Sequence, residues 1–283
     1  MLDKPEGLTS HDVVTRVRRA LKTRAVGHTG TLDPFATGLL VVLLGRATRL
    51  ARFVEAADKT YLATARLGFA TTTDDRAGEP LGKTAGLSAV DDTVVRATLK
   101  SFEGQSLQRP PAYSAKQVRG QRSYRLARRG AAVQLAEVPV TVRRIELIDW
   151  TPPQATFRTT VSAGTYVRAL ARDLGDRLGV GGHLTALRRE AIGTLRVEEA
   201  IPLERLDAKT PLVPLRRILS DLPALELDQD TRAAVRHGRA VVARTHSAAT
   251  SQGHVVLLGD GGVVAVARSE GDSLRPVVVL EAP

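Results

Sequence analysis

The sequence predicts an α+β protein with a largely antiparallel sheet, followed by a small β-rich domain. Three observations predict this. Along the first 210 residues, helical apolar spacing is mixed with strand-like alternation, without a regular strand–helix–strand repeat. Pro211 and Pro214 then mark a boundary. Beyond them the pattern is mostly β, with a hairpin signal at Gly259–Gly262. The expected domains are therefore 1–210 and 211–283.

Each element follows from local chemistry. Thr9 and Ser10 lead into Val13, Val14, Val17, Ala20 and Leu21, the spacing of an amphipathic helix with a hydroxyl cap and a basic outer face. Apolar residues run from Leu39 to Leu44, and a second basic helical pattern follows through Arg46, Arg49 and Arg52. Lys59–Leu67 alternates, with Tyr61, Ala63, Ala65 and Leu67 on one face, and reads as a strand. Residues 68–89 read as a long loop, and Ser88 to Asp91 as a capping box opening a helix to about Leu99. The basic stretch 109–130 starts at prolines and ends in a short helix stopped by Gly130. Strands are expected at about 137–149 and 154–162, then a helix over Gly164–Leu178. "GGHLTALRREAIG" closes the unit. In the tail, Asp230–His237 suits a helix ended by Gly238, and Arg275–Leu280 a strand.

Charge and composition narrow the function. The chain of 283 residues carries a net +11, which points to a polyanionic partner. Residues 211–283 hold eight Arg, no Lys and eight acidic groups, so the first 210 residues carry the whole excess, 33 basic against 22 acidic. Every Trp, Tyr and Phe also lies there. Basic groups for phosphates, mixed with a few aromatics for bases, outline an RNA binder; on composition alone, an Arg-rich protein whose charges merely solvate its surface is an equal alternative. With no cysteine, disulfides, zinc knuckles and a thiol nucleophile are excluded. No apolar run is long enough to span a bilayer, and the opening residues show no secretory pattern, so no membrane partner and a cytoplasmic location are expected.

Several motifs fail on spacing. "GEPLGKT" is one residue short of a phosphate-binding P-loop. The six histidines show no metal-ligand spacing, and no Gly-x-Ser-x-Gly elbow appears. "GHTG" matches the Gly-x-x-Gly of RNA-clamping KH domains, which supplies a rival class: an RNA-binding protein without catalysis. In "GHTGTLDPFATG", Asp33 before Pro34 reads locally as a helix start, with the carboxylate capping free N–H groups. On local pattern alone that reading is favoured over a carboxylate held for chemistry.

The motifs in order change the balance. "LDKPEGLTSHDVV", "GHTGTLDPFATGLLVVLLGRATR", "KTYLATARLGFATTTDDRAG", "PPAYSAKQVRGQRSYRLARRG" and "SAGTYVRALARDLGDRLGVGGHLTALRR" cover nearly all of residues 2–200. Together they resemble the bacterial tRNA pseudouridine-55 synthases, the TruB family. The resemblance implies a pseudouridine synthase core of mixed, largely antiparallel sheet flanked by helices. It also implies an RNA-binding insertion at about 68–135 and a PUA-like C-terminal domain. The implied activity is isomerisation of uridine to pseudouridine at position 55 in the T-loop of tRNA, by base flipping, in a monomer without cofactor or metal.

By resemblance Asp33 is the nucleophile and Arg168 the arginine that pairs with it, where the bare pattern reads an exposed helix arginine. Tyr61 matches the tyrosine that packs on the target base and helps remove the C5 proton; unaided, it reads as a core strand aromatic. His28 matches the residue filling the space left by flipped bases. Tyr166 matches a second active-site tyrosine, Leu187 an apolar lining residue and Lys4 a lysine near the site. Two departures stand out. The apolar strand that usually precedes "LDKP" is missing, and the insertion's lysine falls at Lys116, one place early, so Lys116 receives no role. A tRNA-binding and folding factor that has lost catalysis is the rival reading. Such a protein would be expected to lose Asp33, Tyr61 or Arg168 early, and all three are present.

Overall fold

The computed structural model describes residues 1–114, 117–118, 121–122, 135–242 and 253–281. Contacts divide the chain into two compact units, one of Met1–Pro34, Leu39–Ala57 and Gly193–Pro283, the other of Phe35–Gly38 and Asp58–Ile192.

In the first unit, β1 (Leu2–Lys4) precedes α1 (Ser10–Ala20). The Thr9 hydroxyl accepts from the Asp12 amide while the Asp12 carboxylate accepts from the Thr9 amide, the reciprocal cap its sequence predicts. Val13, Val14 and Val17 bury one face of α1 with Leu2, Val26 and Leu40. β2 (Val26–His28) pairs antiparallel with β4 (Val42–Leu44); β3 (Thr37–Leu40), between them in sequence, has only Leu39 and Leu40 in this unit. The basic pattern at 46–52 becomes a 3₁₀ turn, Gly45–Leu50, leading into α2 (Ala51–Glu55).

In the second unit, β5 (Lys59–Leu67) lies at the centre of the sheet. The segment expected as a long loop instead contains a small hairpin, β6 (Ala70–Thr71) on β7 (Pro80–Leu81). Next comes α3 (Asp92–Lys100), capped not from Ser88 but by the Asp91 carboxylate, which accepts from Val94 N at 2.8 Å. The reason is local: residues up to Val90 are taken up in a turn closed by Val90 N on the Leu87 carbonyl. β8 (Gly104–Gln108) leads toward a short hairpin, β9 (Gln117–Val118) and β10 (Gln121–Arg122). The helix expected near Gly130 lies outside the described residues.

β11 (Val138–Thr151) and β12 (Gln154–Val161) form the expected long hairpin. α4 (Val167–Arg177) starts three residues later than Gly164, which holds φ 85 in the preceding turn. "GGHLTALRREAI" is β13 (Gly182–Ile192). The order β13–β5–β12–β11–β8 is antiparallel throughout, and Thr37 and Gly38 add in parallel beside Arg188 and Arg189. Alternate residues Ala63, Ala65 and Leu67 bury one face of β5, and Phe157 on β12 is fully buried.

The remaining chain returns to the first unit through β14 (Leu195–Arg196), β15 (Ile201–Pro202), which pairs with β1, and α5 (Leu215–Ile218). Then follow β16 (Ala224–Glu226), α6 (Gln229–Arg236), β17 (Val241–Val242), β18 (His254–Gly259), β19 (Gly262–Glu270) and β20 (Ser273–Val279). These strands form a separate five-stranded sheet, β16–β18–β19–β20–β17, over a core that includes Val235, Leu257, Val264 and Leu274. Arg46 and Arg49 donate to the carbonyls of Leu280 and Val279, and Phe53 meets the His254 ring edge-on. Among the described residues no helix is long and apolar enough to cross a membrane.

Candidate active site

Asp33 does not start a helix. Pro34 and Phe35 form a turn that enters β3, so the local reading of Asp33 as an N-cap is corrected. Its position is held from the opening of the chain instead. On one side of it, Leu32 N donates to the Ser10 hydroxyl at 2.9 Å, and that hydroxyl donates to the Leu32 carbonyl at 3.2 Å. On the other side, the Pro34 carbonyl accepts from Gly7 N at 2.8 Å and from Lys4 Nζ at 3.3 Å. Both neighbours of Asp33 are thus pinned by groups from "LDKPEGLTS", while Asp33 itself keeps partial exposure.

Lys4 is fully buried, and its ammonium also donates to the Pro5 carbonyl at 2.8 Å. A buried ammonium needs such acceptors, because desolvating it alone would be costly. His28 ends β2 opposite Val42, partly exposed. Lys4, His28 and Asp33 all belong to the first unit.

Tyr61, Tyr166, Arg168 and Leu187 belong to the second unit. Tyr61 on β5 lies opposite Thr159 and Arg189, and Leu187 on β13 lies opposite Ala63. Leu187 is buried and Tyr61 half-buried. Tyr166 is the N-cap residue of α4. Its amide donates to Gln108 Oε1 at 2.9 Å, and its carbonyl accepts from Gln108 Nε2 at 3.2 Å. The Gln108 side chain therefore sets the entry of this helix.

Arg168 is 5% exposed, which corrects the reading of it as an exposed helix arginine. A cation in the first turn of a helix opposes the helix dipole, so it requires compensation. Nη1 donates to Asp75 Oδ2 at 3.2 Å and to the Thr73 carbonyl at 3.1 Å, and Nη2 donates to the Tyr113 carbonyl at 2.9 Å.

The turn Thr71–Gly78, with Thr71, Thr73, Asp75 and Gly78 in a Thr-x-Thr-x-Asp-x-x-Gly pattern, holds Asp75 in place. Asp75 Oδ1 accepts from the Thr73 hydroxyl at 2.6 Å and from Ala77 N at 3.0 Å, while the Thr71 hydroxyl donates to the Asp75 carbonyl at 2.7 Å. Gly78 is needed because a Cβ there would lie 2.6 Å from Thr73 N. The turn is also tied to β13: Leu184 N donates to the Asp74 carbonyl, and Arg76 N to the Leu184 carbonyl. Close by, His183 Nδ1–H donates to the Phe69 carbonyl at 3.0 Å, and burial lowers the pKa of its ring.

Sequence reasoning quoted Asp75 within its motif but missed its pairing with Arg168, and missed Gln108 altogether. The one signal for Gln108 in the sequence is a polar residue just before Arg-Pro-Pro.

Residues 18–167 match the TruB family pseudouridylate synthase N-terminal domain, and residues 168–222 match the tRNA pseudouridylate synthase B C-terminal domain. The chain is 45% identical to the tRNA pseudouridine synthase B of Thermobifida fusca (strain YX), over 99% of this chain and 97% of that protein. It is 41% identical to the protein of that name from Arthrobacter sp. (strain FB24), over 99% and 95%. Among solved structures it is similar to a Cbf5–Nop10–Gar1 complex (TM-score 0.76, 28% identity, 99% of this chain and 83% of that chain). It is likewise similar to the archaeal box H/ACA sRNP Nop10–Cbf5 complex (TM-score 0.75, 25% identity, 99% and 85%). The matched family models and relatives, with the fold, define a pseudouridine synthase. The chain belongs to the TruB family of pseudouridylate synthases.

Proposed function

We propose that this chain converts uridine to pseudouridine at position 55 in the T-loop of tRNA, with Asp33 as nucleophile. The observation that carries this reading is the clamping of Asp33 on both sides, by Ser10 at Leu32 and by Gly7 and Lys4 at Pro34. A nucleophile gains rate when its approach is fixed before the substrate arrives.

The reaction breaks the N1–C1′ bond of uridine and forms a C5–C1′ bond. A proton leaves C5 and another is taken up at N1, so atoms and charge balance without a redox step. Asp33 bonds the nucleoside transiently and is released when the new glycosidic bond forms. By the family resemblance, Arg168 is the arginine that serves Asp33. Tyr61 packs on the everted base and assists loss of the C5 proton, and Leu187 lines the pocket beside it. His28 fills the space left by the flipped bases. Tyr166 supports the site, and Lys4 acts on it by holding the Pro34 carbonyl.

The target base must leave its stack, at a cost of a few kcal/mol. Phosphate contacts and stacking at roughly 1–3 kcal/mol per base offset that cost. The insertion at about 68–135 and the PUA-like domain at 211–283, which carries no net charge, complete the RNA contacts. The protein acts in the cytoplasm as a monomer, without cofactor or metal.

Asp33→Asn tests the assignment with unmodified tRNA carrying tritium at C5 of uridine. The variant is expected to keep tRNA binding and to release no tritium. Measurable turnover would reject Asp33 as nucleophile.

A further inference from the structure

Arg168 is seated by two separate segments: the Thr71–Gly78 turn, through Thr73 and Asp75, and the stretch after β8, through Tyr113. One helical turn further along α4, a second arginine holds the same two segments. Arg172 Nη1 donates to Asp74 Oδ2 at 2.9 Å, and its Nη2 donates to the Arg109 carbonyl at 3.0 Å. Its Nε donates to Asp173 Oδ1 at 2.9 Å, which fixes the plane of the fork.

Asp74 adjoins Asp75 in the turn, and Arg109 opens the stretch after β8 that reaches Tyr113. The pair is mostly buried, with side-chain exposures of 20% for Arg172 and 14% for Asp74. Asp74 also holds φ 58, a left-handed conformation that favours glycine. A carboxylate sits there although burial raises its pKa, and it is paired with Arg172.

We propose that Arg172 is a positioning residue for the isomerisation. It locks the turn against the Arg109–Tyr113 stretch after β8 and thereby sets the Arg168 guanidinium. This rests on the reading that Arg168 serves Asp33. The two arginines are spaced i, i+4 on one helix face, so neither segment can slip without straining both. Lysine at 172 would offer one point donor in place of a fork that spans Asp74, Asp173 and the Arg109 carbonyl.

The test uses the full chain, unmodified tritiated tRNA, and the variants Arg172→Lys, Arg172→Ala, Arg168→Lys and the Arg168→Lys/Arg172→Ala pair. Arg172→Ala is expected to lower kcat about tenfold with KM within about twofold of wild type, and Arg172→Lys to fall between. On the Arg168→Lys background the further loss shrinks to under about twofold, because the effect travels through Arg168. A purely structural role would lower the melting temperature and leave kcat intact well below it. The proposal is overturned by an unchanged kcat, by a loss carried in KM, or by an equal loss on both backgrounds. If Arg168→Lys releases no tritium above background, the division of the Arg172→Ala effect between kcat and KM decides alone. A wild-type chain that releases no tritium would instead defeat the function proposed above.

Discussion

Two side chains that are almost wholly buried, Arg168 and Asp75, meet at 3.2 Å with 6% and 8% of their side-chain surfaces exposed. Removing one charge from such a pair is costly, because the other remains desolvated. Asp75→Asn keeps the shape and an acceptor for Thr73 but removes the charge facing Arg168. It is expected to destabilise the chain by about 3 kcal/mol in urea unfolding. A loss under about 0.5 kcal/mol would mean that the pair contributes little beyond hydrogen bonding. The pairing was illegible in the sequence, since 93 residues separate its members and the pattern around Arg168 suits an exposed helix face.

Helix α4 positions this chemistry, and its packing depends on Gly175. A glycine within a helix is disfavoured against alanine by about 1 kcal/mol, so propensity alone would welcome Gly175→Ala. Here a Cβ at 175 would overlap the backbone of Gly181 and Gly182, where the chain turns from α4 into β13. The substitution is expected to give a net loss of about 2 kcal/mol, read as a lowered thermal midpoint. A gain in stability would show that the turn can move aside. Elements were legible where their cause is local. The Thr9 cap and valine spacing of α1, the alternation of β5 and the hairpin of β18 and β19 appear as expected. The start of α4 was not, because the Gln108 amide that sets it comes from a distant strand.

At the scale of the whole molecule, charge is unevenly placed. The first 210 residues hold the entire basic excess, and Arg16, Arg19, Lys22 and Arg24 are exposed on and just after α1. If these residues meet RNA phosphates, tRNA affinity should fall more than tenfold between about 50 and about 200 mM salt. Filter binding across that range measures the slope. A flat response would remove phosphate contact from the account of binding. The five-stranded sheet of the tail, with no net charge, should contribute little to that slope.

By itself the sequence determined the α+β class, the order of most elements, the basic character of the first 210 residues and the family, since periodicity, composition and motif order are local properties of the chain. Only the tertiary structure decided that Asp33 lies just before a turn, between neighbours held by Ser10, Gly7 and Lys4, and that Arg168 is buried against Asp75. It alone revealed the second arginine gripping the same two segments. The physical reason is that burial and hydrogen-bond partnership are set by residues far apart along the chain. Asp before Pro caps a helix or enters a turn according to which donors the rest of the fold brings to it.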